Sequence, residues 1–186
     1  TTIVKLAVEK ILKKNVLVVG AGIKTGLNIR IDNPAQLGSD LVVDSVAAIV
    51  EYPAPLLIFD LGTANTVCVI DKNKNYIGGM IYPGIGVSLD SLTAHASQLG
   101  GISIEAPEHM IGKNTTECMK SGLIYSSAAA MDGIIDRLQE QLGGEATVIA
   151  TGGLAKKIVP HCRREIILDD DLLLKGLAII YKKNRK

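Results

Sequence analysis

Tryptophan is absent and phenylalanine occurs once, so aromatic residues make up only 3% of the chain. A core built from this sequence must be aliphatic, packed from Ile, Leu, Val and Ala rather than from ring contacts. Cysteine is also scarce: Cys68, Cys118 and Cys162 lie far apart, form no C-x-x-C pair and are odd in number. That excludes a disulfide framework and points to free thiols in a reducing compartment. His95, His109 and His161 show no metal-ligand spacing. Charge of one sign is lacking too, with 20 basic residues against 19 acidic ones, so no electrostatic footprint for nucleic acid is present. No apolar run approaches a membrane span and no targeting segment is visible. A soluble, cytoplasmic protein without nucleic-acid or membrane partners is expected.

What the chain does have is aliphatic bulk and glycine. Nearly half of its 186 residues are apolar and 19 are glycines, a balance that favours many backbone turns near a ligand over a helical bundle. The length suits one domain, or one domain plus part of another. The opening Thr1-Thr-Ile-Val-Lys5 lacks methionine and runs at once into a helical stripe over Ile3 to Leu12, which reads as an internal starting point.

Along the chain, Val16 to Val19 is expected to be an apolar strand ending in Gly20-Ala-Gly22. Those glycines match neither a dinucleotide fingerprint nor a Walker loop. Leu41 to Val50 reads as a helix that Ser39 can cap, with Asp40 in the first turn, where the helix dipole favours a carboxylate. Spacing alone makes Asp40 no more than a good first-turn residue. Past Pro53 and Pro55 come two strands, Leu56 to Phe59 and Thr66 to Ile70. Between them lies a turn containing Asp60, Gly62, Thr63 and Asn65. A third strand, Tyr76 to Tyr82, completes a meander. The pattern then predicts a helix from about Ser88 to Leu99 and a long helical region up to Leu142, interrupted near Gly122 or Gly133. A strand over Ala146 to Ala150 ends at Thr151-Gly-Gly153. A short helix from Leu154, a strand over Glu165 to Leu168 and a helix from Asp171 to Lys182 follow. The order implies an α/β fold, a mixed sheet covered on its faces by helices.

The turn after Phe59 could be an ordinary polar hairpin. Taken alone, the hairpin is the better reading; the other is a phosphate turn, in which a carboxylate at a strand end binds a cation or orients water and a glycine beside it lets backbone N–H groups approach closely.

Taken together, Gly38-Ser-Asp40, Asp60-Leu-Gly-Thr63, Gly112-Lys-Asn-Thr115 and Val148-Ile-Ala-Thr-Gly-Gly153 resemble the motifs of the type III pantothenate kinases. That family belongs to the sugar-kinase, actin and Hsp70-like superfamily. The likeness also takes in Val19-Gly20, Lys24 to Asn28 and Gly78 to Gly84, and runs from about Val16 to Tyr181. It implies RNase H-like, actin-like ATPase domains with ATP between them. Residues 1–52 would then be the C-terminal part of an incomplete first domain, and residues 53–186 the second. It implies phosphorylation of pantothenate by ATP, the first step towards coenzyme A, with Mg2+ and a monovalent cation (K+ or NH4+). By the resemblance, Asp40 is the catalytic base, and Gly38, Ser39, Asp40 and Thr115 bind substrate. Gly62, Thr63, Gly152 and Gly153 bind ATP, and Asp60 holds the monovalent cation. Family members are homodimers with pantothenate at the subunit interface, so Thr115 would serve the partner's site. Two departures stand out: Leu41 replaces the family's arginine, and the D-x-G-N-T phosphate loop does not occur in these residues. A degenerate, non-catalytic homologue acting as a binding, dimerisation or regulatory module is the alternative.

Overall fold

The computed structural model describes residues 2–20, 22–96 and 98–185. Its elements run α1 (Thr2–Leu12), β1 (Asn28–Ile29), α2 (Ser39–Glu51), β2 (Leu56–Leu61), β3 (Ala64–Ile70) and β4 (Asn75–Pro83). They continue α3 (Ile85–His95), α4 (Thr115–Leu142), β5 (Thr147–Thr151), α5 (Ala155–Ile158), β6 (Ile167–Leu168) and α6 (Leu172–Asn184). The six strands form one mixed sheet in the order β1-β4-β3-β2-β5-β6. β2, β3 and β4 are the antiparallel meander, while β5 lies parallel to β2, β6 to β5 and β1 to β4.

The pleat of β2 divides the core. Successive side chains of a strand point to opposite faces. Leu57, Phe59 and Leu61 pack with Val67, Val148 and Ala150 against Ile124, Ala128, Met131 and Ile135 of α4. Leu56 and Ile58 face the other way, with Cys68, Ile70 and Ile149, towards Ala47 and Ala48 of α2 and Leu172 of α6. Helices thus cover both faces, as the element order predicted. The parity rule has a consequence for Asp60: it belongs with Leu56 and Ile58 and faces α2. In register beside it are Thr66 on β3 and Thr151 on β5.

α2 and α6 cross closely. Val42, Val43, Val46 and Ile180 are buried between them, and a Cβ on Gly176 would lie 2.7 Å from Val43 Cγ1 and nearer still to its carbonyl oxygen. Gly176→Ala is therefore expected to lower stability. The helix-propensity gain of about 1 kcal/mol is outweighed by a clash with backbone, which costs about 1–3 kcal/mol. Urea denaturation checks the sign; a more stable variant would show that the helices can separate freely.

Several elements depart from the sequence reading. Val16 to Val19 is not a strand; an apolar run becomes one only where a partner edge is free. Val19 instead packs against the α2–α6 cluster. The pairing with β4 falls to Asn28–Ile29, where Arg30 N–H donates to Tyr76 O at 2.8 Å and Asn28 Nδ2 donates to Asn75 Oδ1 at 2.6 Å. α2 is preceded by Gly38 with no side-chain cap, so Ser39 is its first residue rather than its cap. α3 starts earlier than expected, at Ile85, and ends at His95; Ser97 lies outside the described residues.

α4 is uninterrupted at Gly122 and Gly133. Its start is held by Asn114 Oδ1, which accepts from Glu117 N–H at 3.0 Å, and its end by Gly143 at φ +75°. Both ends are thus satisfied locally. α1 buries no residue, and Ile3, Val4, Leu6 and Ile11 on it are exposed.

Candidate active site

At the carboxyl end of β2 the strand runs out between α2 and the β5–α5 turn. The cleft there has a volume of about 580 Å³ and is lined by Asp40 and Asp44 of α2, Asp60 of β2, Thr151-Gly152-Gly153, Lys156, Asp170 and Leu173. Asp40 and Asp44 share a face because residues four apart on a helix lie one turn above the other. Asp60 reaches them because of its parity on β2.

Gly152 shapes the back of the cleft. Its φ of +93° belongs to the region open to glycine. A Cβ there would collide with Asp60 Oδ1 and lie 2.6 Å from Leu61 N. Leu154 N–H donates to Leu61 O at 3.2 Å and Ala155 N–H to Gly152 O at 3.1 Å, so the turn is strapped onto the end of β2. Gly153 has open space around it.

The charge in the cleft is graded by depth. Asp40 is exposed at the mouth and its Oδ1 accepts from Leu41 N–H at 3.0 Å. Asp60 is half-buried, and burial, then the Asp40 carboxylate, push its pKa up. Asp44 is only 2% exposed and its Oδ1 has no hydrogen-bond partner. Burial first, then Asp60, Asp40 and Asp169, push its carboxyl up to about 7. Nearby cations are engaged elsewhere: Lys175 pairs with Glu51 and Asp169 at 2.8 Å each, and Lys156 pairs with Asp170. Tyr52 OH also donates to Asp169, at 2.7 Å.

A raised folded pKa has a definite sign. Between the unfolded value of 3.8 and about 7 the folded chain binds the extra proton. Asp44 therefore favours folding at low pH, and that contribution is lost as pH rises through 7. Stability attributable to Asp44 is expected to fall by on the order of 1 kcal/mol per pH unit at the steepest part. Asp44→Asn should flatten that slope in denaturation curves at pH 5–8; an unchanged slope would mean that Asp44 is not the group titrating.

The structure brings Asp40, Asp60, Gly152 and Gly153 to one cleft. Gly38 lies directly against Asp40 Oδ1, with exposed Ser39 beside it. Gly62 and Thr63 form the two-residue hairpin turn after Asp60 and do not line the cleft; Gly84 N–H clasps that turn through Thr63 O at 3.1 Å. Thr115 is exposed at the start of α4, on the opposite face of the sheet. Leu41 is partly buried against the α2-side core. Sequence reasoning missed Asp44 and Lys156. The signal for Asp44 was available, a lone carboxylate inside Leu41-Val-Val-Asp-Ser-Val-Ala-Ala48, four residues after Asp40.

The donors of the cleft suit hard cations. Its lining holds carboxylates and hydroxyl but no His or Cys, a set that selects Mg2+ or an alkali ion over a transition metal. Among the described residues no three acidic, His or Cys side chains stand close enough to hold one metal ion. An ion held by one or two of these carboxylates would share its shell with other oxygens.

Residues 1–137 match the model of the type III pantothenate kinases. The chain belongs to that family. Type III pantothenate kinases from Exiguobacterium sp., Bacillus cytotoxicus and Exiguobacterium sibiricum are 46%, 46% and 48% identical over 91%, 95% and 90% of the chain. The chain spans about two thirds of the length of these relatives, 66%, 67% and 66%. Among solved structures, a Baf family transcriptional activator from Campylobacter jejuni aligns with TM-score 0.56 at 22% identity, covering 86% of this chain and 70% of its own. The ethanolamine utilization protein of Carboxydothermus hydrogenoformans aligns with TM-score 0.52 at 16% identity, covering 96% and 72%. These likenesses bear on fold alone, a mixed sheet between helices. No helix among the described residues is long and apolar enough to cross a membrane.

Proposed function

We propose that the protein carrying this chain is a kinase that transfers the terminal phosphoryl group of ATP to the primary hydroxyl of pantothenate. The observation that carries this reading is the convergence of Asp40, Asp60 and the Gly152–Gly153 turn on one cleft, in a chain of this family. Phosphoryl transfer asks little covalent chemistry of the protein and a great deal of positioning and charge stabilisation. Asp40, exposed at the mouth, accepts the proton of the attacking hydroxyl as the new O–P bond forms and the bond to ADP breaks. Gly152 and Gly153 leave room for the nucleotide close to the backbone. Asp60 holds a monovalent cation, and Gly62 and Thr63 supply phosphate-side contacts from the adjoining turn. Bound Mg2+ and the monovalent ion neutralise phosphate charge. Without them a cleft of four aspartates would repel ATP.

In this reading the protein is a cytoplasmic homodimer in which Thr115, remote from its own cleft, contacts pantothenate in the partner's site. Residues 1–52 end the first actin-like domain and 53–186 form the second. Leu41 turned into the core leaves the substrate carboxylate to be met by another group.

That same feature favours a second reading, a nucleotide-binding module without turnover. A coupled assay of ADP release on the natural protein, with Mg2+ and either K+ or NH4+, separates the two. Release that requires both pantothenate and the monovalent ion is the expected result. ATP binding without pantothenate-dependent release would leave the second reading, and no ATP binding would overturn both.

A further inference from the structure

The deepest group of the cleft has no task in the scheme above. Asp44 is 2% exposed, lines the cleft floor and leaves Oδ1 without a partner. A buried carboxylate needs a positive partner or a full set of donors. The lysines close by do not serve, since Lys175 is held by Glu51 and Asp169 and Lys156 by Asp170. A second orphan lies on the same face of the sheet. Thr66 stands opposite Asp60 in register on β3, so both side chains project from the α2 face of the sheet. Thr66 Oγ1 is likewise buried without a partner. Asp44 and Asp60 in the lining, with Thr66 beside Asp60 on β3, offer oxygen ligands; the one side-chain nitrogen of the lining, Lys156 Nζ, is an ammonium paired with Asp170 and is no ligand.

Such a set suits a cation that also binds phosphate. Among the described residues no three acidic side chains stand near enough to enclose an ion, and Mg2+ characteristically takes one or two carboxylates and completes its shell with water and substrate phosphates. An alkali ion would be served by the same oxygens. We propose that Asp44 acts with Asp60, and with Thr66 as neutral donor, to hold a cation that enters the cleft with the nucleotide. Asp44 is then an ion ligand in its own right rather than a structural member of α2. The inference rests on the nucleotide-binding reading of the same cleft.

The test compares the natural protein with Asp44→Asn, which keeps shape and loses charge. Mn2+ binding in the presence of ADP, read by electron paramagnetic resonance, reports a divalent ion. The thermal shift produced by KCl over tetramethylammonium chloride reports a monovalent one. Asp44→Asn is expected to weaken one of these responses by about tenfold or more, while ADP affinity measured in chelator without K+ is not reduced. Both responses unchanged would overturn the proposal and leave Asp44 as a carboxyl neutralised by a proton.

Should Asp44→Asn fail to fold, Thr66→Val carries the same comparison. A smaller loss in the same direction supports the site, and no loss overturns it. Failure here is distinct from failure of the kinase reading. Pantothenate-dependent ADP release with intact ion binding in Asp44→Asn sinks only the ion site. Ion binding lost in the variant, with no such release by the natural protein, sinks only the reaction.

Discussion

Asp40→Asn is expected to lower kcat by about a thousandfold, within the range of about 10²–10⁴ that a positioned general base contributes, while the affinity for ATP stays close to that of the natural protein. The substitution is nearly isosteric, and the one hydrogen bond recorded for the side chain survives it. Asp40 Oδ1 accepts from Leu41 N–H at 3.0 Å, and an asparagine oxygen does the same. What the amide cannot do is accept a proton from the attacking hydroxyl. Because Asp40 is exposed at the mouth rather than buried, little folding energy depends on it. Removing its charge also relieves Asp60, whose carboxyl Asp40 pushes up, so ion and nucleotide binding should not suffer. The informative measurement is the split between kcat and the ATP dissociation constant in steady-state and equilibrium experiments. A variant that turns over at the natural rate removes Asp40 as the base.

The second large effect is expected at Gly152. Gly152→Ala should destabilise the fold by about 2–4 kcal/mol, combining the strain of a side chain at positive φ with overpacking. The Cβ would meet Asp60 Oδ1, Leu61 N and Leu61 O. Two of those are backbone atoms of the central strand and cannot rotate away. Relief requires the β5–α5 turn to lift off β2, which breaks the bond from Leu154 N–H to Leu61 O and shifts the Asp60 carboxylate. Nucleotide affinity should therefore fall together with the unfolding free energy. Gly153→Ala is the internal control, since nothing lies near the site of its added Cβ. Equal stability of the two variants would show that the close approach at Gly152 is not maintained in solution.

The meander, the long α4 and the strand before Thr151 were legible because their signals are local. Two-residue alternation or a continuous aliphatic run, bounded by turn residues, specifies a strand whatever lies beside it. The D-x-G-T turn and the Thr-Gly-Gly turn were likewise readable as places where backbone comes close to something. Val16 to Val19 misled because apolar content marks burial and not pairing: the edge of β4 accepted Asn28–Ile29 instead. Ser39 misled because a good capping residue lay one position inside the helix, whose start is set by Gly38.

By itself the sequence determined the class of fold, an aliphatic α/β sheet, and the membership of Asp40, Asp60 and Gly152 in recognisable motifs. Tertiary structure decided which of those motifs meet. Asp60 faces α2 because it shares the parity of Leu56 and Ile58, and β5 lies beside β2 in a register that sets Thr151 next to it. Thr115 is carried to the other side of the sheet by α4. Asp44 becomes a buried, unpartnered carboxylate only when α2 closes over β2 with its lysine neighbours already paired. Burial and the loss of hydration that follows are properties of the packed chain, which is why a residue unremarkable in the sequence became the deepest charge in the cleft.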